Sequence, residues 1–327
     1  MPDLIERLHT PCPIWNAGMG GGLAGPALVA AVCEGGGLGV LGSGGLPGDT
    51  VRELIQATRA LTSRPFAANI ILPMSAGDDI EACFDARVPV LILFWGDIQP
   101  YVADAHRRGM FVVAQCGGPE DAVAAADAGA DAIIVQGTEA GGHVKAEQPL
   151  SETLAATLAA LGPVPVLAAG GLATGADIAA ALDRGARAVS LGTRFLATTE
   201  AAAVSEYKSR IVAAHAADTV LTKMFDLGWP DAQHRVIRNT TFDSWQAAGS
   251  PPSGQRPGEG EEIGTIGAGD ARVPLPRYSV YPPATGFAGD LDAAALYAGE
   301  SVERVTDIPS AAELLSRLMD ELRAASA

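Results

Sequence analysis

The chain has 327 residues, of which 48% are apolar and only 5% aromatic, and its 38 acidic against 22 basic side chains leave a net charge of −16. That length allows one large domain or two ordinary ones with ample core. The acidic balance, with no basic run to offset it, excludes DNA, RNA and anionic membranes as partners through repulsion.

The opening MPDLIERLHT is charged and lacks the apolar core of a signal peptide, and Gly35 to Leu46 is half glycine and too short to span a bilayer, so a cytoplasmic protein is expected. The cysteines at 12, 33, 83 and 116 have neither CxxC nor His-paired metal spacing and read as reduced core thiols.

Apolar runs then alternate with helical patterns. Pro13 to Asn16 predicts a first strand, followed by a helix from about Gly25 to Cys33. Leu38 to Leu41 is the second strand, and Asp49 is expected to cap a helix reaching about Leu61. Phe66 to Leu72 and Pro89 to Trp95 are the third and fourth strands. A helix near Pro100 to Arg108 leads to the fifth, Phe111 to Cys116, and the Ala-rich helix Pro119 to Ala128 to the sixth, Ala132 to Gln136. A helix from Ser151-Glu152 to about Leu161 precedes the seventh strand, Val164 to Ala168. Thr174 is the expected N-cap of a helix to Arg184, before the eighth strand, Ala188 to Leu191, and an eighth helix, Glu200 to Ala213.

Eight βα units are the count of an α/β TIM (β/α)8 barrel. Glycine loops after strands one, six, seven and eight favour that over a doubly wound sheet, because a barrel gathers them on one face. The beat is lost after residue 213. Ala213 to Trp245 is read as helical, with Arg235 and Arg238 on one face. Residues 246–283, rich in Gly, Pro and charge, are read as a long loop over the barrel mouth. Ile308 to Ala324 closes the chain as an amphipathic helix capped by Ser310. The expected division is a barrel over 1–213, a smaller, mainly helical or irregular domain over 214–308 inserted before the C-terminal helix, and that helix, 309–327, packed back on the barrel.

Chemistry concentrates at strand ends. Gly20 to Gly25 satisfies GxGxxG, but no acid follows the second strand to hold a ribose, so close approach to another ligand is the better reading. Ala168-Ala169-Gly170-Gly171 and Gly192-Thr193-Arg194 stand where a barrel builds its phosphate site from backbone N–H groups. Two plain tight turns are the alternative. In QGTEAGGHV, Gly137, Gly141 and Gly142 leave room for a flat ligand, and His143 supplies the side chain that titrates near neutrality, a candidate catalytic base. His9, His106, His215 and His234 read as surface or satisfied core residues. Glu139 could orient the imidazole or face solvent.

PIWNAGM, VQGTEAGGHV, PVLAAGGLATGADIAAALDRGARAVSLGTRFLAT and RVIRN together resemble the nitronate monooxygenase family, formerly 2-nitropropane dioxygenases, over nearly the whole chain in order. The resemblance extends to flavin-dependent enoyl-acyl-carrier-protein reductases and NADH:quinone reductases. It implies non-covalent FMN with its phosphate at Gly170, Gly171, Gly192 and Thr193, beside Ala169. It places Ala17, Gly18 and Met19 along the isoalloxazine, with Asn69, Gln115 and Gln136 near the ring or ribityl chain and Gly141 and Gly142 beside it. His143 matches the family's active-site histidine. The implied reaction converts an alkyl nitronate, or a nitroalkane, and O2 to a carbonyl compound and nitrite; the alternative is an NAD(P)H-dependent reductase. Small molecules and O2 are the expected partners, no metal is expected, and self-association as a homodimer is left open. Asn16 stands where many members have Gln, Gln115 where some have Lys, and Glu300 where Gln is common, changes expected to make the pocket less favourable to anions.

Overall fold

Eight parallel strands frame the computed structural model, which describes residues 4–267 and 272–326. They are β1 Ile14–Asn16, β2 Val40–Gly42, β3 Ala67–Ile71, β4 Val90–Phe94, β5 Phe111–Cys116, β6 Ala132–Gln136, β8 Val166–Ala169 and β9 Ala188–Leu191; the two-residue β7, Gly142–His143, stands outside this frame. The hydrogen-bonded order is β1-β9-β8-β6-β5-β4-β3-β2. A parallel bridge between Trp15 and Leu38 brings the two ends together and makes the sheet a TIM barrel. At this seam the Asn16 side chain does the work of a strand: its Oδ1 accepts from Val40 N–H at 2.9 Å and its Nδ2 donates to Val40 C=O at 2.9 Å.

The strands read as unbroken apolar runs because both of their faces are buried. Trp15, Val40, Val90, Ile92, Val113, Ile134 and Leu167 fill the barrel, with Leu8 of the helix Leu4–Leu8 joining them. Alternate residues such as Ile14, Leu91, Leu93, Val112, Ile133 and Val189 face the surrounding helices.

Those helices span Pro26–Glu34, Gly48–Leu61, Asp78–Ala86, Gln99–Arg107, Pro119–Asp127, Leu150–Ala160, Gly175–Asp183 and Ser205–Ala213. Thr174 and Ser310 cap as expected, each in a reciprocal box with the acid three residues on. Asp49 does not cap; it lies inside a helix begun by Gly48 and pairs with Arg52. The helix Asp78–Ala86 completes a unit that the sequence reading left without one. The eighth helix starts at Ser205, not Glu200, because Ala202 and Val204 donate their N–H groups to Leu23 and Pro283 and Ala203 bridges Ala284; a four-residue helix, Thr193–Leu196, comes before them. The C-terminal helix Ala311–Ala325 buries Leu314, Leu315, Leu318 and Leu322. It accepts the Gly175 N–H on Glu321 at 2.7 Å, which docks it on the Gly175–Asp183 helix.

The span 213–245 is not the expected helix. It forms β10 Thr219–Thr222, β11 His234–Ile237 and only then a helix, Thr240–Ala247. Arg235 and Arg238 therefore share no helical face: β-branched Val236 and Ile237 lie in a strand paired antiparallel with β10 on one side and β7 on the other. The rest of the inserted segment is irregular apart from a small antiparallel sheet of β12 Glu262–Ile266, β13 Val273–Pro276 and β14 Ala288–Gly289. Residues 250–260 are ordered around the buried Arg256. Its guanidinium donates to Met224 C=O at 2.8 Å, pairs with Asp226 at 2.6 Å and with Glu259, and lies over the Tyr278 ring. Residues 1–3 and 268–271, parts of the leader and loop readings, fall outside the described residues.

Candidate active site

The carboxyl ends of the barrel strands surround a cleft of about 950 Å3, open solvent at its mouth included. Its walls hold Ala17, Gly18 and Met19 after β1, Asn69 on β3, Gln115 on β5, Gln136 on β6, the β7 residues Gly142 and His143 with Gly141 before them, and Gly192 and Thr193 after β9. A smaller recess of about 420 Å3 shares Ala17, Gln115, Gln136, Gly141, Gly192 and Thr193 with it and adds Ala169, Gly170 and Gly171. The residues expected from the sequence to hold the cofactor, with His143, thus border these two adjoining spaces.

Two glycine positions show how close the backbone packs at this wall. A Cβ on Gly18 would lie 2.3 Å from the Asn69 Cβ, and one on Gly141 would lie 2.3 Å from the Gly299 nitrogen. Gly170 and Gly171 take φ 109° and 69°, which side-chain-bearing residues rarely adopt. Among the described residues no hydrogen-bond partner is found for the N–H groups of Gly171 and Gly192, so the recess offers these donors to an anion. Thr193 accepts the Gly299 N–H on its hydroxyl at 2.9 Å.

His143 is held by its neighbours' backbone bonds. The Gln136 amide donates to His143 C=O at 3.1 Å and accepts the Lys145 N–H at 3.2 Å, clamping β7 from the barrel side. On the other side β7 pairs with β11, His143 opposite His234. The imidazole is ringed by Trp229, His234 and Tyr297, and its Nε2 is buried without a partner among the described residues. Burial, with His234 adding to it, drives its pKa well below 6.5. The expectation of a histidine titrating near neutrality is corrected: desolvation keeps this one uncharged at physiological pH.

His234 is a satisfied core residue. Its Nε2 accepts the Phe225 N–H at 3.2 Å, its Nδ1 lies 2.8 Å from Ala232 C=O, and burial lowers its pKa to about 4. Glu139 neither orients the imidazole nor faces solvent free, since its carboxylate accepts the Leu150 N–H at 2.9 Å and so caps the Leu150–Ala160 helix. Glu300 adds no charge to the cleft, because it pairs at 3.0 Å with Arg235, whose guanidinium also donates to Thr138 C=O. No Asp, Glu, Lys or Arg lines the cleft among the described residues.

The nitronate monooxygenase family matches residues 2–89 and 78–321. The chain belongs to that family. A nitronate monooxygenase of Paraburkholderia phytofirmans is 31% identical over 98% of this chain and 94% of its own length. A 5-hydroxy-7a-methyl-1-oxo-octahydro-1H-indene-4-carboxyl-CoA dehydrogenase of Rhodococcus jostii is 35% identical over 76% of this chain and 68% of its own. FabK from Thermotoga maritima superposes with TM-score 0.84 at 29% identity, covering 100% of this chain and 97% of that one. This member of the nitronate monooxygenase family is an oxidoreductase with the barrel of its relatives. No helix among its described residues is long and apolar enough to cross a membrane.

The sequence reading missed the outer wall. Ile71, Met74, Phe94, Val280, Tyr281, Pro282 and Tyr297 also line the cleft, the last four from the inserted segment. Their signal was faint: with aromatics so scarce, Tyr278 and Tyr281 close together at the end of a Gly/Pro-rich stretch mark a surface packed against something.

Proposed function

We propose that the cleft binds FMN and that the chain oxidises alkyl nitronates with O2 to a carbonyl compound and nitrite. The observation that carries the reading is the cleft and the recess that share a wall: the glycine turns Gly170-Gly171 and Gly192 border the recess, and His143 borders the cleft beside Gly141 and Gly142. In this reading Gly170, Gly171, Gly192 and Thr193 hold the phosphate beside Ala169. Ala17, Gly18, Met19, Gly141 and Gly142 flank the ring, while Asn69, Gln115 and Gln136 surround it with amides. When bound, FMN supplies the electron acceptor that lets O2 complete the oxidation. His143, uncharged, would donate a neutral hydrogen bond to a nitronate oxygen from a ring N–H, and in the other tautomer would take the α-proton of any nitroalkane accepted on the free lone pair of that nitrogen. The barrel, 1–213, is the FMN domain, 214–308 the lid that shapes the substrate side, and 309–327 the helix that closes the fold.

A second reading, an NAD(P)H-dependent reductase, is favoured by the cleft's lack of any charged side chain, since no cation waits there for a nitronate. Purified protein releasing FMN, and consuming O2 with a nitronate but not with NADH alone, bears out the first reading. NADH oxidation against an enoyl thioester or quinone, with no nitronate turnover, replaces it with the second. Colourless protein that takes up no FMN rejects both.

A further inference from the structure

The inserted segment lays Trp229 on the face of the His143 imidazole, ring centroids 4.1 Å apart and planes 24° from parallel. Trp229 is 7% exposed and meets Trp95 edge-on, centroids 5.0 Å apart at 72°. Trp95 follows β4 directly with φ 64°, a conformation that a bulky residue adopts only when its surroundings impose it. The other neighbours of the imidazole are also fixed: His234, 5.3 Å away, by its bonds to Phe225 and Ala232, and Tyr297, 5.5 Å away, by a hydrogen bond to Val280 C=O. Only Trp229 contacts the ring nearly face to face.

We infer that Trp229 is a positioning residue of the active site, whose stacked indole fixes the plane of His143 and excludes water from that face, so that the imidazole borders the cleft in one orientation. Removing the indole would leave the imidazole free to rotate about χ2, since Gln136 bonds only the backbone of β7. The groups that titrate around the ring are His234 and Tyr297; on the loop that carries Trp229, Asp226 is taken up by Arg256. With no charged side chain in the cleft, burial dominates the protonation of His143, and Trp229 forms part of that cover. The inserted segment, remote in sequence, thereby completes the catalytic group.

This rests on His143 acting on the substrate, and the test separates the two. The titration of His143 is followed by NMR in full-length, histidine-labelled protein, assigned with His143→Asn, for the wild type, Trp229→Ala and Trp229→Phe. In the Ala variant the titration is expected to move up by about one pH unit or more. The acid limb of kcat/KM moves with it, and kcat falls about tenfold or more while KM changes little. Phe, which can stack, restores all three. A folded Ala variant with the wild-type titration and acid limb overturns the inference, and Trp229→Leu is read by the same criteria if Ala does not fold. A titration that moves while rate and acid limb stay put supports the cover but removes His143 from catalysis, which counts against the proposed function instead.

Discussion

His143 and His234 face each other across a strand pair, yet the structure gives them different work. His234 spends both ring nitrogens on backbone groups, whereas His143 keeps Nε2 unpaired. Both resist protonation when folded, and the sign of the consequence follows. Above pH 6.5 neither state binds the proton; below it the unfolded chain does and the folded chain does not, so stability falls as the pH drops toward the folded value. For His234 the window runs from 6.5 to about 4. Its full span costs roughly 3 kcal/mol, with His143 adding in the same direction. Urea unfolding at pH 7 and pH 4.5 measures it, and a flat profile would contradict the burial of both rings. For catalysis, His143→Asn should cost about 10²- to 10⁴-fold in kcat/KM with a nitroalkane, where a proton must be taken. With the nitronate of the same compound the loss should be about 2- to 10-fold, the worth of one neutral hydrogen bond. Equal losses would show that the ring is not a base.

The barrel's weakest junction is also its most economical. Between β1 and β2 one backbone bridge suffices only because Asn16 offers an amide of the same shape as a peptide, buried and bonded to both polar groups of Val40. Asn16→Leu would strand the Val40 N–H and C=O in a dry core, at about 1–3 kcal/mol for each unsatisfied group. Asn16→Asp would add a buried carboxylate facing the Val40 carbonyl. Thermal unfolding should fall steeply for both, and a variant with Leu that unfolds like the wild type would mean that the seam does not bear on stability. The element that carries His143 shows the complementary case. β7 is two residues long and survives because β11 pairs one edge and Gln136 bonds the other.

Across the whole molecule, the segment between β10 and β13 is tied together by one cation. Arg256 joins Met224, Asp226, Ser253 and Glu259, and so ties the loop bearing Trp229 to the Gly/Pro-rich stretch. Arg256→Ala leaves two carboxylates without their partner. It should loosen residues 223–261 by about 2–4 kcal/mol of local stability while the barrel strands stay protected. Hydrogen exchange by peptide is the measurement: exchange gained in the barrel as well would mean that this segment and the barrel unfold as one unit. The edge strand β13, Val273–Pro276, needs no such tie to stay single, because Pro274 and Pro276 remove two of its donors.

What the sequence by itself determined was the barrel and the carboxyl-end wall of its cleft. A strand buried on both faces reads as an unbroken apolar run, and a turn with positive φ or with backbone packed close against it favours glycine, as at Gly18, Gly170 and Gly171, so both leave marks that need no partner to be read. The capping of the helices at Thr174 and Ser310 was equally local. Only the tertiary structure decided the protonation of His143, because its desolvation comes from Trp229, His234 and Tyr297, side chains that lie far along the chain. It likewise decided that Glu139 caps a helix, that Glu300 is paired with Arg235, and that Arg235 to Ile237 form a strand. In each case the deciding partner lies on another element, and the energy of a side chain belongs to the pair and not to the residue.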